Sequence, residues 1–126
     1  MPTREIPREH WAEFFHGFSR AHQGWFATVE ILGQEIGAQI EARELPFEGI
    51  AADLKGPGED SIEVMVGDKP DSHVAHTVLG PTHIRLDQGM NGEHEALQIE
   101  APGQAVTLVR FRSPVIPDLV ADVIIE

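Results

Sequence analysis

The chain has no cysteine and no tyrosine among its 126 residues. Without cysteine it cannot form a disulfide, a thiolate zinc site or a cysteine nucleophile. The lack of disulfides fits a reducing compartment, and we expect a cytoplasmic protein. The first residues are polar, and the uninterrupted apolar runs are short. The sequence therefore predicts neither a signal region nor a membrane span.

Basic residues are scarce. Nine lysines and arginines stand against 21 aspartates and glutamates, which gives a net charge of −12, and the two lysines, Lys55 and Lys69, lie far apart in sequence. Binding to a phosphate backbone needs clustered lysine and arginine. We therefore expect no nucleic-acid partner and no binding to an anionic membrane.

Motifs for common catalytic chemistries are also missing. None of the four serines lies in a G-x-S-x-G elbow. Residues 56–58 (GPG) lack the Lys-Ser/Thr pair and the helix of a phosphate loop, and no G-x-G-x-x-G motif follows a strand pattern. The sequence predicts no cofactor, and it favours a non-enzymatic protein.

The N-terminal part has the pattern of an amphipathic helix. Pro7 fits the first turn of a helix, and Gly24 fits its end. Between them, large aromatic side chains recur at helical spacing: Trp11, Phe14, Phe15 and Phe18. This pattern predicts a helix over about residues 7–23.

Beyond Gly24 the pattern changes to an alternation of apolar and polar residues that continues to Arg112. Short turns divide it into seven or eight strands, and Pro46 predicts a bend or bulge. We expect an α+β, mainly β fold in one domain, residues 1–126. Its helix would pack on an antiparallel meander over about residues 25–112, barrel-like or strongly curled.

The C-terminal residues 115–126 are dense in β-branched side chains. The segment fits either a strand or a short helix that begins at Pro117. Its apolar side chains need burial, either in the same chain or against a partner chain. A homodimer formed through this segment is therefore one alternative.

Histidines and acids supply the candidates for chemistry. His76 shares the apolar face of its strand with Val74 and Val78, which fits a core histidine bonded to backbone or a carboxylate. In the alternative hypothesis it is a proton-transfer group in the mouth of the sheet. The candidate catalytic residues are His76, His83, Asp71 and Arg85.

A metal site is a second hypothesis. If the strands that hold His73 and His83 formed a hairpin, four candidate ligands would converge: Asp68, Asp71, His73 and His83. Two carboxylates and two imidazoles would suit a divalent cation. The alternative is a polar loop beside a hairpin, because no fixed ligand motif is present.

Five segments of the chain resemble a family of small bacterial proteins known only as a domain of unknown function. They are residues 6–11 (IPREHW), 14–25 (FFHGFSRAHQGW), 37–49 (GAQIEARELPFEG), 66–76 (VGDKPDSHVAH) and 110–114 (RFRSP). The resemblance covers roughly residues 4–114 and implies a soluble bacterial protein. It supplies no catalytic residue, and we expect the family not to share the tail after Pro114.

Three functions follow as hypotheses. The first is a non-enzymatic binding or accessory module that contacts an unknown protein or small ligand. The second is a small-molecule-binding protein or enzyme with a pocket in the sheet, lined by histidine and aspartate. The third is a self-associating structural protein that uses residues 115–126.

Overall fold

A computed structural model describes residues 3–33, 37–56, 58–67, 69–88, 94–103 and 106–113. The C-terminal segment discussed above, residues 115–126, lies outside these ranges. The described elements, in chain order, are β1 (Thr3–Ile6), a 3-10 turn (Arg8–His10), α1 (Trp11–His22), β2 (Phe26–Gly33), β3 (Gly37–Asp53), β4 (Ser61–Val66), a 3-10 turn (Pro70–Ser72), β5 (Val74–Leu79), β6 (His83–Gln88), β7 (His94–Glu100) and β8 (Val106–Arg112).

The strands form one antiparallel sheet, which confirms the mainly β prediction. Its order is β1-β6-β7-β8-β2-β3-β4-β5. It consists of two meanders, β2 to β5 and β6 to β8, joined because β2 pairs with β8 from Phe26↔Arg112 to Leu32↔Val106. Strands β1 and β5 are its edges, and no pairing between described strands joins them. The sheet is therefore open and is not a closed barrel.

Strand β3 makes the sheet fold over. Its residues 37–46 pair with β2, and its residues 47–53 pair with β4. The register shifts between Phe47 and Gly49, directly after Pro46, where the sequence predicted a bend or bulge. A bulge bends a strand and increases its twist. As a result β5 approaches β8, and His76 on β5 contacts Thr107 on β8.

The N-terminal elements differ from the prediction. Helix α1 begins at Trp11, because residues 8–10 form a 3-10 turn. Residues 3–6 form a strand that the sequence did not predict, paired with β6 from Thr3↔Asp87 to Ile6↔Ile84. Only Ile6 of this strand is buried, so it has no alternating pattern to detect. The helix ends as expected, and Gly24 adopts φ +88°, which favours glycine.

Helix α1 buries its aromatic stripe against the sheet. Trp11, Phe15 and Phe18 are at most 5% exposed. Full burial of such a side chain stabilises the fold by about 1.5–3 kcal/mol. At the end of the helix, the His22 ring stacks on Phe18 at 3.9 Å and lies 3.1 Å from the Glu95 carboxylate on β7. These contacts fix the helix across the sheet.

A buried carboxylate holds the start of the helical segment to the turn before β4. Asp60 is 2% exposed and accepts hydrogen bonds from Arg8 Nε at 2.7 Å and Arg8 Nη2 at 3.1 Å. It also accepts the backbone N–H groups of Lys55 and Gly56. The hydrogen bond from Arg8 and those from the two backbone amides hold the pKa of Asp60 well below its ordinary value, although burial opposes them.

Candidate binding groove

A groove of about 280 Å³ lies between α1 and the end of β3. Its helix side is lined by Ala12, Phe15, His16, Ser19 and Arg20. Its strand side is lined by Ile50, Ala51 and Ala52. The aromatic stripe of α1 creates this arrangement, because burial of Phe15 and Phe18 brings the neighbouring helix face alongside β3.

Ser19 bonds the helix directly to the strand. Its hydroxyl donates to the Ile50 carbonyl at 3.1 Å and accepts the Ile50 N–H at 3.0 Å. Strand β2 pairs with β3 only up to Pro46, so it does not cover Ile50. Ser19 therefore takes the place of a neighbouring strand and satisfies both backbone groups of a buried residue.

The edge of β3 that Ser19 contacts at Ile50 extends along the strand to Ala52. Ile50 is opposite Val64 in the pairing with β4, yet its backbone groups point away from β4 towards Ser19. Backbone groups alternate in direction along an antiparallel strand. The N–H and C=O of Ala52 consequently point to the same open side as those of Ile50, and Ala52 lines the groove.

Two basic side chains border the groove without an acidic partner. His16 and Arg20 are exposed and lie four residues apart on α1, so they share one helix face. Neither forms an ion pair or a hydrogen bond with another described side chain, whereas Arg8, Arg110 and Arg112 are each bound to an acid. Arg20 thus places a guanidinium at the rim of the groove in a chain of net charge −12.

Replacing Ser19 by alanine tests the bond between helix and strand. We expect Ser19→Ala to lower the free energy of unfolding by about 1–3 kcal/mol, because the Ile50 N–H and C=O lose their partner at a buried position. Chemical denaturation monitored by circular dichroism would measure the loss. Ser61→Ala, at a half-buried serine without a side-chain hydrogen bond in the described structure, is the control. Equal stabilities of the two variants would contradict this role of Ser19.

Among the sequence candidates, His76 lies on the inner side of the sheet, as its alternation predicted. Its Nε2 is 3.2 Å from the hydroxyl of Thr107, a side chain that is 3% exposed. The sequence predicted a backbone group or a carboxylate as the partner of a core histidine, whereas the observed partner is a hydroxyl. Partial burial lowers the pKa of His76, while the charge of Glu41 acts in the opposite direction. Burial therefore favours the neutral imidazole.

His83 and Arg85 lie on the outer face of the sheet, because Ile84 and Leu86 of the same strand point into the core. His83 Nδ1 is 2.7 Å from a carboxylate oxygen of Glu5. Arg85 forms ion pairs with Glu5 and Glu100. The two candidates belong to a surface network of ion pairs across β1, β6 and β7, on the opposite side of the sheet from His76.

The proposed metal ligands are not brought together by a hairpin. Strand β5, which follows His73, pairs with β4, whereas β6, which begins at His83, pairs with β1 and β7. His73 Nε2 lies 2.7 Å from Glu48. Asp71 is exposed in a 3-10 turn, and Asp68 is outside the described residues. Across the described ranges, no group of three or more metal-binding side chains converges.

Sequence reasoning missed the groove, although part of its signal is visible. Ala12, His16 and Arg20 follow one another at intervals of four, which places them on one helix face. This spacing places two basic residues, His16 and Arg20, beside the aromatic face of the helix. The partner surface is not visible, because the bond between Ser19 and Ile50 joins residues 31 apart in sequence.

In the described part of the chain, no helix is both long and apolar enough to span a membrane. A search of solved structures finds no match. An uncharacterised protein from Aquifex aeolicus (strain VF5) is 29% identical over 88 residues, which cover 70% of this chain and 73% of the relative.

The model of a family of unknown function, DUF5335, matches residues 2–119. This confirms the resemblance to a family without an assigned function. It also extends that resemblance at both ends, including the first residues of the tail that we expected the family not to share. The chain belongs to the DUF5335 family of unknown function.

Proposed function

We propose that this protein is a non-enzymatic binding module of the bacterial cytoplasm, acting as one domain. The groove between α1 and β3 would hold an acidic group of a partner protein or small ligand. The observation that carries the proposal is the position of Arg20 and His16 at the rim of a partly apolar groove, where neither has an acidic partner among the described side chains.

The groove offers three kinds of contact to such a group. The guanidinium of Arg20 has the planar fork that binds a carboxylate through two parallel hydrogen bonds. The methyl groups of Ala12 and Ala51 provide apolar surface for the aliphatic part of the ligand. The edge N–H of Ala52 provides a further donor. Together they fit a short aliphatic chain that ends in a carboxylate.

The size of the groove limits which ligands it can hold. Its volume of about 280 Å³ lies just below the range of about 300–1,000 Å³ typical of pockets that enclose drug-sized ligands. A dinucleotide or a large cofactor would extend well outside it. A small organic acid, or one acidic anchor side chain of a partner protein, would fill it.

The enzyme hypothesis has less support. The hydrogen bond between His76 and Thr107 has the residue types of a base and a nucleophile. However, Thr107 is 3% exposed, so a substrate does not reach its hydroxyl without a rearrangement. The other candidates, His83 and Arg85, lie on the opposite side of the sheet and are occupied by carboxylates.

Titration with hexanoate, observed through backbone amide signals in NMR, tests the proposal. We expect hexanoate to shift the amide signals of Ala12, Ser19 and Ala52, and hexylamine, with the opposite charge, to leave them unchanged. Arg20→Glu should weaken hexanoate binding at least tenfold, because one favourable contact to the carboxylate becomes a repulsion.

Arg43→Glu is the matched control, because Arg43 is an exposed arginine on β3 without an ion pair in the described structure and away from the groove. Binding to this variant should equal binding to the unchanged chain, apart from a small effect of net charge. If hexanoate shifted no groove signal, or if the two variants weakened it equally, the groove would not be the site.

A further inference from the structure

A second concave surface adjoins the groove on the outer face of the sheet. Its volume is about 280 Å³, and it shares Ala51 and Ala52 with the groove. Its other lining residues come from the strands β3, β4 and β5: Asp53, Ser61, Glu63 and Thr77. Because the two surfaces meet at the same two residues of β3, one ligand can lie across both of them.

Short side chains form the floor of this second surface. In the sheet, Glu63 of β4 lies directly opposite Ala51 of β3 on one side and Thr77 of β5 on the other. Side chains at directly opposite positions of neighbouring strands lie on the same face of the sheet. The exposed carboxylate of Glu63 therefore stands between two smaller side chains, and a ligand that lies over Ala51 can reach it.

The two ends of the combined surface carry opposite charges. Arg20 lies at the helix end, and Glu63 and Asp53 lie at the sheet end. The carboxylate of Asp53 is 3.7 Å from Lys55 Nζ. Glu63, in contrast, forms no ion pair or hydrogen bond with another described side chain. Glu63 is thus the acidic group that is available to a ligand, as Arg20 is the basic one.

Strand β3 separates these two charged groups. Arg20 belongs to α1, which is bonded to one side of β3 through Ser19 and Ile50. Glu63 belongs to β4, which lies on the other side of β3 at a strand spacing of about 4.8 Å. The methyl group of Ala51 lies between them. A ligand that contacts both groups therefore needs a negative and a positive charge with an apolar part between them.

We propose that the combined surface binds a zwitterion of the ω-amino acid class, in which an aliphatic chain joins a carboxylate to an ammonium group. This inference rests on the proposed function, because the carboxylate occupies the same groove. Arg20 binds the carboxylate, the chain lies over Ala51, and the ammonium group donates to the carboxylate of Glu63. The net charge of −12 also favours this class, since it repels a simple anion but not a ligand without net charge.

Parallel NMR titrations with 6-aminohexanoate and hexanoate test the inference. The two probes share the carboxylate and the aliphatic chain, and they differ in the ammonium group. We expect 6-aminohexanoate to shift the amide signals of Ser61 and Thr77 in addition to that of Ser19, whereas hexanoate shifts Ser19 and leaves Ser61 and Thr77 unchanged. 6-Aminohexanoate should bind about threefold more tightly than hexanoate, or better, as expected for one added charge pair at an exposed position.

Glu63→Gln should remove this preference for 6-aminohexanoate, because the ammonium group loses its charged partner. Its affinity for hexanoate should change little. Glu41→Gln is the matched control, because Glu41 is an exposed glutamate on β3 in the part of the hairpin that extends beyond the core. Both variants alter the net charge by the same amount, so only a local contact with Glu63 makes their preferences differ.

The outcomes separate this inference from the proposed function. If hexanoate bound in the groove and 6-aminohexanoate bound no more tightly, the zwitterion would be the wrong ligand class, while the site for an acidic group would stand. The same conclusion would follow if Glu63→Gln and Glu41→Gln reduced the preference equally. If neither probe shifted a groove signal, both the proposed function and this inference would be wrong.

Discussion

Replacing Asp60 by asparagine should cause one of the largest losses of stability in this protein, a fall in melting temperature of roughly 10 °C or more. Asparagine keeps the shape of the side chain and one acceptor oxygen, which can still bind the amides of Lys55 and Gly56. Its NH₂ group, however, would then face the Nε–H of Arg8, which donates to the other carboxylate oxygen of Asp60. The substitution thus places donor against donor at a buried position.

The pH dependence of stability should identify the cause. The pKa of Asp60 is lowered in the folded state from its ordinary value of 3.8, so the carboxylate binds protons more readily when the chain unfolds. Its stabilising effect is therefore complete above that ordinary value and is lost as the pH falls through it towards the lower folded value. The difference in stability between the unchanged chain and Asp60→Asn should be constant above about pH 5 and shrink below it.

Thermal unfolding of both proteins across this pH range measures the effect. Asp53→Asn is the control, because Asp53 has an exposed side chain and lies 3.7 Å from Lys55 Nζ. An exposed pair of this kind contributes little to stability. If Asp60→Asn melted within a few degrees of Asp53→Asn near neutral pH, the contact between Arg8 and Asp60 would not hold the two segments together.

The alternation of apolar residues predicted the strands well where one face is buried. In β4, Ile62, Val64 and Val66 are the buried positions, as their spacing indicated. The pattern was less informative in the first part of β3, where Ile40 is 43% exposed. Residues 37–41 are exposed there despite their alternation, because this part of the β2–β3 hairpin extends beyond the core.

The pairing of the strands in the sheet could not be predicted from the sequence. Periodicity describes each strand by itself, whereas the pairing of β2 with β8 joins residues about 80 positions apart, such as Val29 and Val109. Strand β1 joins an edge through backbone hydrogen bonds, and such bonds have no side-chain signature. These pairings decide that the sheet contains two meanders and stays open between β1 and β5.

For the candidate sites too, local spacing predicted which face of a strand a residue lies on, whereas contacts between distant segments could not be predicted. The spacing of Ile84 and Leu86 already places His83 and Arg85 on the outer face, so the pattern itself argued against a shared pocket with His76. The importance of Asp60 was hidden, because its turn is rich in glycine and proline and its partner, Arg8, lies 52 residues away. A polar contact between residues so far apart in sequence cannot be predicted from local sequence patterns.

Phe18→Ala should destabilise the fold by about 3–5 kcal/mol, as expected for removal of a buried phenylalanine ring. Phe18 of α1 contacts aromatic residues on two strands of the sheet. Its ring centroid lies 5.0 Å from that of Phe111 on β8 and 6.2 Å from that of Phe47 on β3. The variant would lose these contacts and the stacked His22 ring at the end of the helix.

Urea denaturation of Phe18→Ala and Phe26→Ala would measure this contribution. Phe26 is a matched control, because its ring is only partly buried and packs 4.8 Å from the Arg112 guanidinium. We expect the Phe18 variant to lose at least twice as much stability as the Phe26 variant. Since α1 forms one wall of the groove, Phe18→Ala should also weaken hexanoate binding at temperatures where the chain is still folded. Equal losses in the two variants would mean that the helix is held mainly by its polar contacts, through Ser19, His22 and Arg8.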